Sequence, residues 1–341
     1  MSQKTISLSS HDPLWRKAFN FTSSELKKIV SIEIDVHHIG STSIGGIKAK
    51  PILDIMCVVP SLEEFDLQKS SLESRGFIWK GEYGILGRRY CVFHDEQNDK
   101  ELIHLHVYET TNEEIEKHLL FRDYLRFSQS SATKYDKLKH SLVKECPSAR
   151  ENYTQGKASL IKDLLVEGYK WRTDIFRKLI NKILDQNVMI KAVTSLGIPG
   201  AGGYVPNSNK CGPTIEILRE PYGGFYWVTK EEQYVENINK FIAGSKIPTQ
   251  DMIILSHEFG HHLSKENGNR TDDYEAALDL FNNKKIANMT SIQKNLIDAE
   301  EEKAWDFGKL ILEEIDFNDF DFFEIQKEKS RVAYKEILHF E

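Results

Sequence analysis

HHIGSTSIGGIKAKPILDI, residues 37–55, decides how the first half of this 341-residue chain is read. Its ends are apolar and of strand length and its middle is rich in Gly, Ser and Thr, so the stretch reads as strand, turn, loop and strand. Gly40 and Ser41 place backbone N–H groups and a small hydroxyl at the turn, a nest for phosphate oxygens. Asp54 follows on the second strand, where a carboxylate can hold a divalent ion, Mg2+ or Mn2+, that bridges those phosphates. Lys48 and Lys50, with Arg88 and Arg89 of GRRY, add charge to neutralise a phosphorylated ligand.

Working outward, SIEIDVHHIG, PILDIMCVVP, RRYCVFH and LIHLHVYE are strands by length and apolar pattern. HDPLWRKAFNFTSSELKKIV before them, and NEEIEKHLLFRDYLRF and ATKYDKLKHSLVKE after them, carry apolar residues at helical spacing. At 341 residues two domains are the default. The boundary is expected near Trp171–Asp174, where a new helix, TDIFRKLINKILDQ, begins. That gives residues 1–170 and 171–341, both α+β: first a mixed sheet with helices, then a mainly helical domain with a small sheet.

The turn and its strands, with GILGRRY, HLHV and HLLFRDYLR, resemble the GrpB family to about residue 168. That family looks like a branch of the nucleotidyltransferase superfamily. The resemblance implies a small mixed sheet carrying the G-S turn, a helical C-terminal part, and a nucleotide or other phosphorylated small molecule as ligand. The P-G of the family's loop stands here as Gly45-Gly46. Nucleotidyl transfer by two metals calls for D-x-[DE] and a third carboxylate, but Asp54 is followed by Met56 at the second position. His104 and His106, alternate residues of one strand, are the candidates to complete a divalent-ion site. Catalysis at this site and binding without catalysis stand as equal alternatives.

LSHEFGHHLSKENG, residues 255–268, contains H-E-x-x-H. On a helix, His257 and His261 share one face and can close on a single ion, with Glu258 beside it. A zinc hydrolase site needs a third protein ligand and one open position. DAEEEKAWDFGKLIL supplies it: Glu301 is the expected ligand, on a helix packed through Ala304, Phe307, Leu310 and Ile311. Glu300 and Glu302 point roughly 100° to either side. HEFGHHLS followed by EEKAWDFG resembles the gluzincin metallopeptidases, especially the ImmA/IrrE-type group. The resemblance implies Zn2+ on His257, His261 and Glu301, with Glu258 as general base. Some gluzincins place Asp four residues after the ligand Glu, where this chain has Trp305. The glycine-rich LGIPGAGGYVPNSNKCGP ahead of this region reads as turns, since it lacks both phosphate-loop spacings.

Charge and composition bound the rest. Residues 1–170 carry 24 Lys+Arg against 24 Asp+Glu, leaving 21 against 28 for the remainder. An acidic second half argues against nucleic acid as its partner. The four cysteines lack C-x-x-C spacing, so neither a disulfide framework nor a thiolate zinc site is expected. No apolar run has membrane-span length and the N-terminus lacks a signal peptide's apolar stretch, so a cytoplasmic protein of bacterial type is expected. The expected whole is a zinc-dependent metallopeptidase acting on a protein or peptide, joined to a nucleotide-binding domain that regulates it. The alternatives are a metal-dependent nucleotidyltransferase with an accessory zinc-binding domain, and a nucleotide-sensing protein with inactive sites.

Overall fold

The computed structural model describes residues 6–145, 150–193, 202–208, 212–218, 227–228 and 249–339. The chain divides into two compact units, Met1–Trp171 and Arg172–Glu341, each with a sheet of its own.

In the first unit, helix α1 (Leu14–Ile29) opens where Asp12 accepts a hydrogen bond from the Leu14 N–H and ends with Lys27 and Lys28 at its negative pole. Then come β1 (Asp35–Ile39), a 3₁₀ turn (Ser41–Ser43), β2 (Leu53–Val59), α2 (Leu62–Asp66), α3 (Lys69–Glu73), β3 (Phe77–Trp79), β4 (Arg88–Asp95) and β5 (Lys100–Glu109). Helices α4 (Glu113–Phe127), α5 (Gln129–Glu145), α6 (Arg150–Gln155) and α7 (Ala158–Asp185) follow. The sheet order is β1-β2-β5-β4-β3, with β2 and β5 parallel and the other pairs antiparallel. The α+β expectation with a mixed first sheet is met. Strand β3 was not anticipated, because three residues are too few to show a period.

Strand alternation gives this sheet two unlike faces. Leu53, Ile55, Cys57 and Val59 of β2, with Leu105, Val107, Cys91 and Phe77, pack against Phe19 and Leu26 of α1 as the main core. The opposite face carries Asp54, Met56, His104, His106 and Tyr90. Its far end is sealed where Met56, Val58 and Tyr108 meet Ile115 and Leu119 of α4. Polar residues on one face of a buried sheet need a reason, and they have a cavity above them.

The helix expected to begin at Thr173 is instead the second half of α7, which runs on through Gly168 and the expected boundary. The second unit continues with β6 (Met189–Val193), β7 (Gly202–Ser208), β8 (Gly212–Leu218) and β9 (Trp227–Val228), in the order β7-β8-β6-β9. Part of the stretch read as glycine-rich turns, residues 196–213, is therefore strand β7 and the start of β8; residues 196–201 and 209–211 of it lie outside the described residues. Gly202 suits that strand because a Cβ there would stand 2.5 Å from Ile254 and 3.1 Å from the Glu258 carboxylate.

Four helices complete the unit: α8 (Thr249–Glu266), α9 (Asp272–Asn282), α10 (Ser291–Glu314) and α11 (Phe320–His339). Thr271 caps α9, and a Thr290/Gln293 capping box opens α10. Helices α8 and α10 touch backbone to backbone at two glycines. A Cβ on Gly260 would lie 2.0 Å from the Ala304 carbonyl oxygen, and one on Gly308 would lie 2.9 Å from that of Ser256. The buried face of α10 runs through Ile297, Glu301, Ala304, Trp305, Gly308 and Leu312, while Leu310 is exposed, contrary to the apolar face expected from the sequence. The glycine contact turns the helix so that its acid faces inward.

Candidate functional site

Cross-strand register builds the first site. Asp54 pairs with His104, which pairs with Val92; Met56, His106 and Tyr90 form the next row. Over these rows lies a cavity of about 750 Å³, edged by Gly40, Ser41 and Thr42 on one side and Tyr83, Ile85 and Tyr90 on another. Gly40 has φ +69° and ψ −171°, a conformation reserved to glycine, and a Cβ there would lie 2.3 Å from Asp54 Oδ2. The turn is thus pressed directly onto the carboxylate. Ser43 Oγ donates to the Gly40 carbonyl at 2.6 Å and fixes it.

The Asp54 carboxylate is flanked by imidazoles: His104 Nδ1 at 3.3 Å and His106 Nε2 at 3.9 Å. Burial pushes its pKa up, but hydrogen bonds from His104 and His106 outweigh that and hold it below the ordinary carboxylate range. His104 Nε2 meets Glu101 at 3.1 Å, so this ring has a carboxylate on each nitrogen. Burial disfavours its charge, yet Asp54 and then Glu101 raise its pKa overall. Asp54, His104 and His106 are not among the described groups whose ligand atoms all lie within 4.8 Å of one another.

Gly40, Ser41, Lys50, Asp54, Arg88, His104 and His106 all line the cavity. Lys48 and Arg89 do not. Lys48 donates its backbone N–H to Asp136 at 2.8 Å and its carbonyl accepts from buried Lys139, so it serves as a loop anchor. Arg89 follows Arg88 on a strand and points to the other face, where it grips Asp66 through Nε at 2.6 Å and Nη2 at 2.7 Å. Arg88 lines the cavity but spends donors on the Glu82 and Tyr83 carbonyls, tying down the loop before β4.

Sequence reasoning missed Tyr135, Tyr153, Lys157 and His118, which helices bring to the cavity. Tyr135 hydrogen-bonds Ser41. Lys50 and Lys157 lie over the Tyr153 ring at 4.3 and 4.6 Å. Burial lowers the pKa of Lys157, and among the described residues no carboxylate pairs with it. His118 is pulled down to about 4 by burial and then by His106. Tyr135, Tyr153 and His118 sit in helices, and Lys157 in the turn between α6 and α7, and which way each faces is invisible in sequence.

The second site lies where α8 and α10 meet. Among the described residues, His257, His261 and Glu301 are the group whose ligand atoms fall within 4.8 Å of one another. Glu301 Oε2 is 3.4 Å from His257 Nε2, and its Oε1 is 3.2 Å from His261 Nε2. All three are buried, and Glu301 Oε2 and His257 Nδ1 make no hydrogen bond to described residues. Burial favours a neutral Glu301, but His261 and then His257 beside it keep its pKa low. Two imidazoles and a carboxylate converging in a buried pocket, with an acceptor left over, fit a divalent ion, and His₂Glu is a zinc set.

Glu258, also buried, lies alongside and accepts the Tyr204 N–H of β7. Burial raises its pKa above the usual carboxylate value. Trp305, which occupies the position of a second acid, stacks on His257 at 4.1 Å. Glu302 turns away to Lys327 and Arg331. His262 also points off the cluster, 3.0 Å from Tyr204 Oη. No helix among the described residues is long and apolar enough to cross a membrane.

Residues 5–167 match the GrpB protein family. The chain is 36% identical over 171 residues to UPF0157 protein YqkA of Bacillus subtilis, covering 50% of this chain and 49% of that protein. It thus spans about half of that relative's length. It is 30% identical over 165 residues to Glutamate-rich protein GrpB of Alkalihalophilus pseudofirmus, covering 48% of this chain and 95% of that one. Among solved structures it is similar to conserved protein GrpB from Enterococcus faecalis, at 35% identity and a TM-score of 0.45 over 48% of this chain and 96% of that one. A weaker similarity is to Cid1 in complex with its short product ApU, at 15% identity and a TM-score of 0.31 over 40% of this chain and 43% of that one.

Proposed function

The chain belongs to the GrpB family, and we propose that its first half binds a nucleotide or a related phosphorylated small molecule in the cavity above Asp54, while its second half holds a zinc ion as a separate centre. The observation that carries the first part is the Gly40-Ser41 turn, pressed onto Asp54 within a cavity that Lys50 and Lys157 also edge. Ser41 and the turn N–H groups suit phosphate oxygens, the two lysines supply charge, and Tyr83, Ile85 and Tyr90 suit an apolar or aromatic moiety. With Met56 in place of a second acid, any nucleotidyl transfer would rely on Asp54 as the carboxylate holding Mg2+ or Mn2+. Calorimetric titration with the four nucleoside triphosphates and with inorganic triphosphate, with and without Mg2+, tests this. Binding that Ser41→Ala or Lys157→Ala weakens supports the reading; no binding by any of them refutes it. Turnover lost in Asp54→Asn would separate a transferase from a binding module.

A second reading, a zinc-dependent peptidase like the ImmA/IrrE group, is favoured by Glu258 beside the His257–His261–Glu301 cluster. A bound zinc ion would acidify a water and polarise a peptide carbonyl. Glu258, its carboxylate steadied by the Tyr204 N–H, would accept the water's proton and return it to the leaving amine. Burial disfavours its charged form, which favours its taking the proton. His257 and His261 should be needed for metal retention, whereas Glu258→Gln should keep the metal and lose hydrolysis. Metal analysis of the double variant His257→Ala/His261→Ala decides: unchanged zinc content removes this reading. Regulation of this centre by the first would appear as a nucleotide affinity that changes when a zinc-directed inhibitor is bound, since coupling is reciprocal.

A further inference from the structure

Glu300 was expected to point away from the second centre. It does not. We propose that Glu300, braced by Arg270 and Ser264, is the positioning residue that sets the tautomer and orientation of His261 for ion binding. This rests on the reading of His257, His261 and Glu301 as a metal centre.

Glu300 Oε1 lies 3.5 Å from His261 Nδ1 and 3.0 Å from Arg270 Nε, while Oε2 accepts from Ser264 Oγ at 2.7 Å. The Arg270 and Glu300 side chains are 4% and 3% exposed. A buried ion pair of this kind is costly to desolvate and seldom justified by stability alone. The Arg270 guanidinium lies over the Tyr204 and Tyr274 rings at 5.5 and 5.1 Å, and its Nη2 is 3.4 Å from the same His261 Nδ1.

Two partners therefore compete for one ring nitrogen, and they demand opposite tautomers. Donation from His261 Nδ1–H to Glu300 leaves the lone pair on Nε2, which faces Glu301 and the ion position. Donation from Arg270 to an unprotonated Nδ1 would place the proton on Nε2 and block the ion. The distances at Nδ1 are nearly matched, 3.4 Å to Arg270 and 3.5 Å to Glu300, and the carboxylate, which also takes up Arg270 Nε at 3.0 Å, favours donation from Nδ1–H. A ligating histidine commonly gives its other N–H to a carboxylate in this way. His257 is oriented differently, by the stacked Trp305 with its own Nδ1 unpartnered among the described residues. The residue four places after Glu301 is Trp305, so the acid comes from the residue before the ligand instead.

The test is zinc affinity of the full chain, measured by competition with a chromophoric chelator after metal removal, with thermal unfolding of the metal-free protein alongside. Glu300→Ala should weaken zinc binding by roughly 10- to 100-fold. Glu300→Gln, whose amide oxygen still accepts from Nδ1, should lose less. The double variant Glu300→Ala/Arg270→Met should recover part of the lost zinc affinity, because the wrong-tautomer donor has gone, and by more than the metal-free unfolding midpoint recovers; a merely structural ion pair would move the two in parallel. Wild-type affinity in Glu300→Gln and Glu300→Ala, or a double variant weaker than Glu300→Ala, overturns the assignment while leaving the metal centre intact. If Glu300→Ala does not fold, Glu300→Gln and the double variant decide alone. A wild-type chain that binds no zinc overturns both the assignment and the centre beneath it.

Discussion

One methyl group added at Gly260 should pull the second centre apart. In Gly260→Ala the new Cβ would stand 2.0 Å from the Ala304 carbonyl oxygen, 2.8 Å from its carbon and 3.0 Å from its Cα. These are main-chain atoms in the middle of α10, and no rotamer relieves them. Ordinary contact begins near 3.4 Å, so α8 and α10 must part locally by about 1 Å or more. The gap that opens is the one spanned by His257 and His261 on one side and Glu301 on the other, now 3.2 to 3.4 Å apart. Ligand sets tolerate only about 0.5 Å of misplacement. Overpacking of this kind costs about 1 to 3 kcal/mol, which in a unit of this size lowers the unfolding midpoint by roughly 2 to 12 °C. Zinc affinity should fall on the order of 10-fold or more, the scale of a lost supporting contact. Thermal unfolding without metal and chelator competition measure the two effects. Gly45→Ala, where a Cβ meets nothing within 4 Å, is the control. A Gly260→Ala protein with the wild-type midpoint and wild-type zinc affinity would refute the argument that this glycine sets the ligand distances.

Three further outcomes follow from buried charge and paired charge. Burial lowers the Lys139 pKa to about 8, against about 10.4 unfolded, so between those values the unfolded chain binds the extra proton and this residue's contribution to stability rises with pH. Urea unfolding at pH 7 and pH 10 should therefore show the stability difference between wild type and Lys139→Met moving in the wild type's favour at the higher pH; a constant difference contradicts it. Burial raises the Cys57 thiol pKa and pushes that of Cys91 up to about 12, so in a Cys146→Ser/Cys211→Ser background an aromatic disulfide reagent at pH 8 should find no thiol until the protein unfolds. Arg89→Ala should leave the affinity of any phosphorylated ligand unchanged, because Asp66 holds that side chain outside the cavity, whereas Lys157→Ala should weaken it roughly 10-fold, about the worth of one charge-assisted hydrogen bond; equal losses would show the cavity to be wrongly placed.

What the sequence revealed depended on whether a residue's neighbours were local. Asp54, His104 and His106 could be found because strand alternation fixes which residues share a face, and register then brings them together. The same alternation should have warned that Arg88 and Arg89 cannot both serve one cavity. Spacing alone placed His257 over His261, and a downstream acid on a helix sufficed to nominate Glu301. Tyr153 and Lys157 were missed because nothing local says which face of a helix, or which turn, a hundred residues away will meet the turn at Gly40. Glu300 was misjudged for a related reason: 100° around a helix axis leads away from one partner, but Arg270 and Ser264, out of sight in the helix pattern, turn that direction toward His261. No Pro/Gly/Ser linker marks the boundary near Trp171, and the two helical stretches that meet there are one continuous helix, α7.

The stacking of Trp305 on His257 also makes the second centre visible to light. An indole 4.1 Å from an imidazole ring, at 20° between planes, is in direct contact with it. An ion held by His257 would change the electric field at the indole, so emission from Trp305 would serve as a built-in indicator of occupancy. The chain has five tryptophans, and substituting the other four by phenylalanine would leave a protein that reports its own metal state without any added dye.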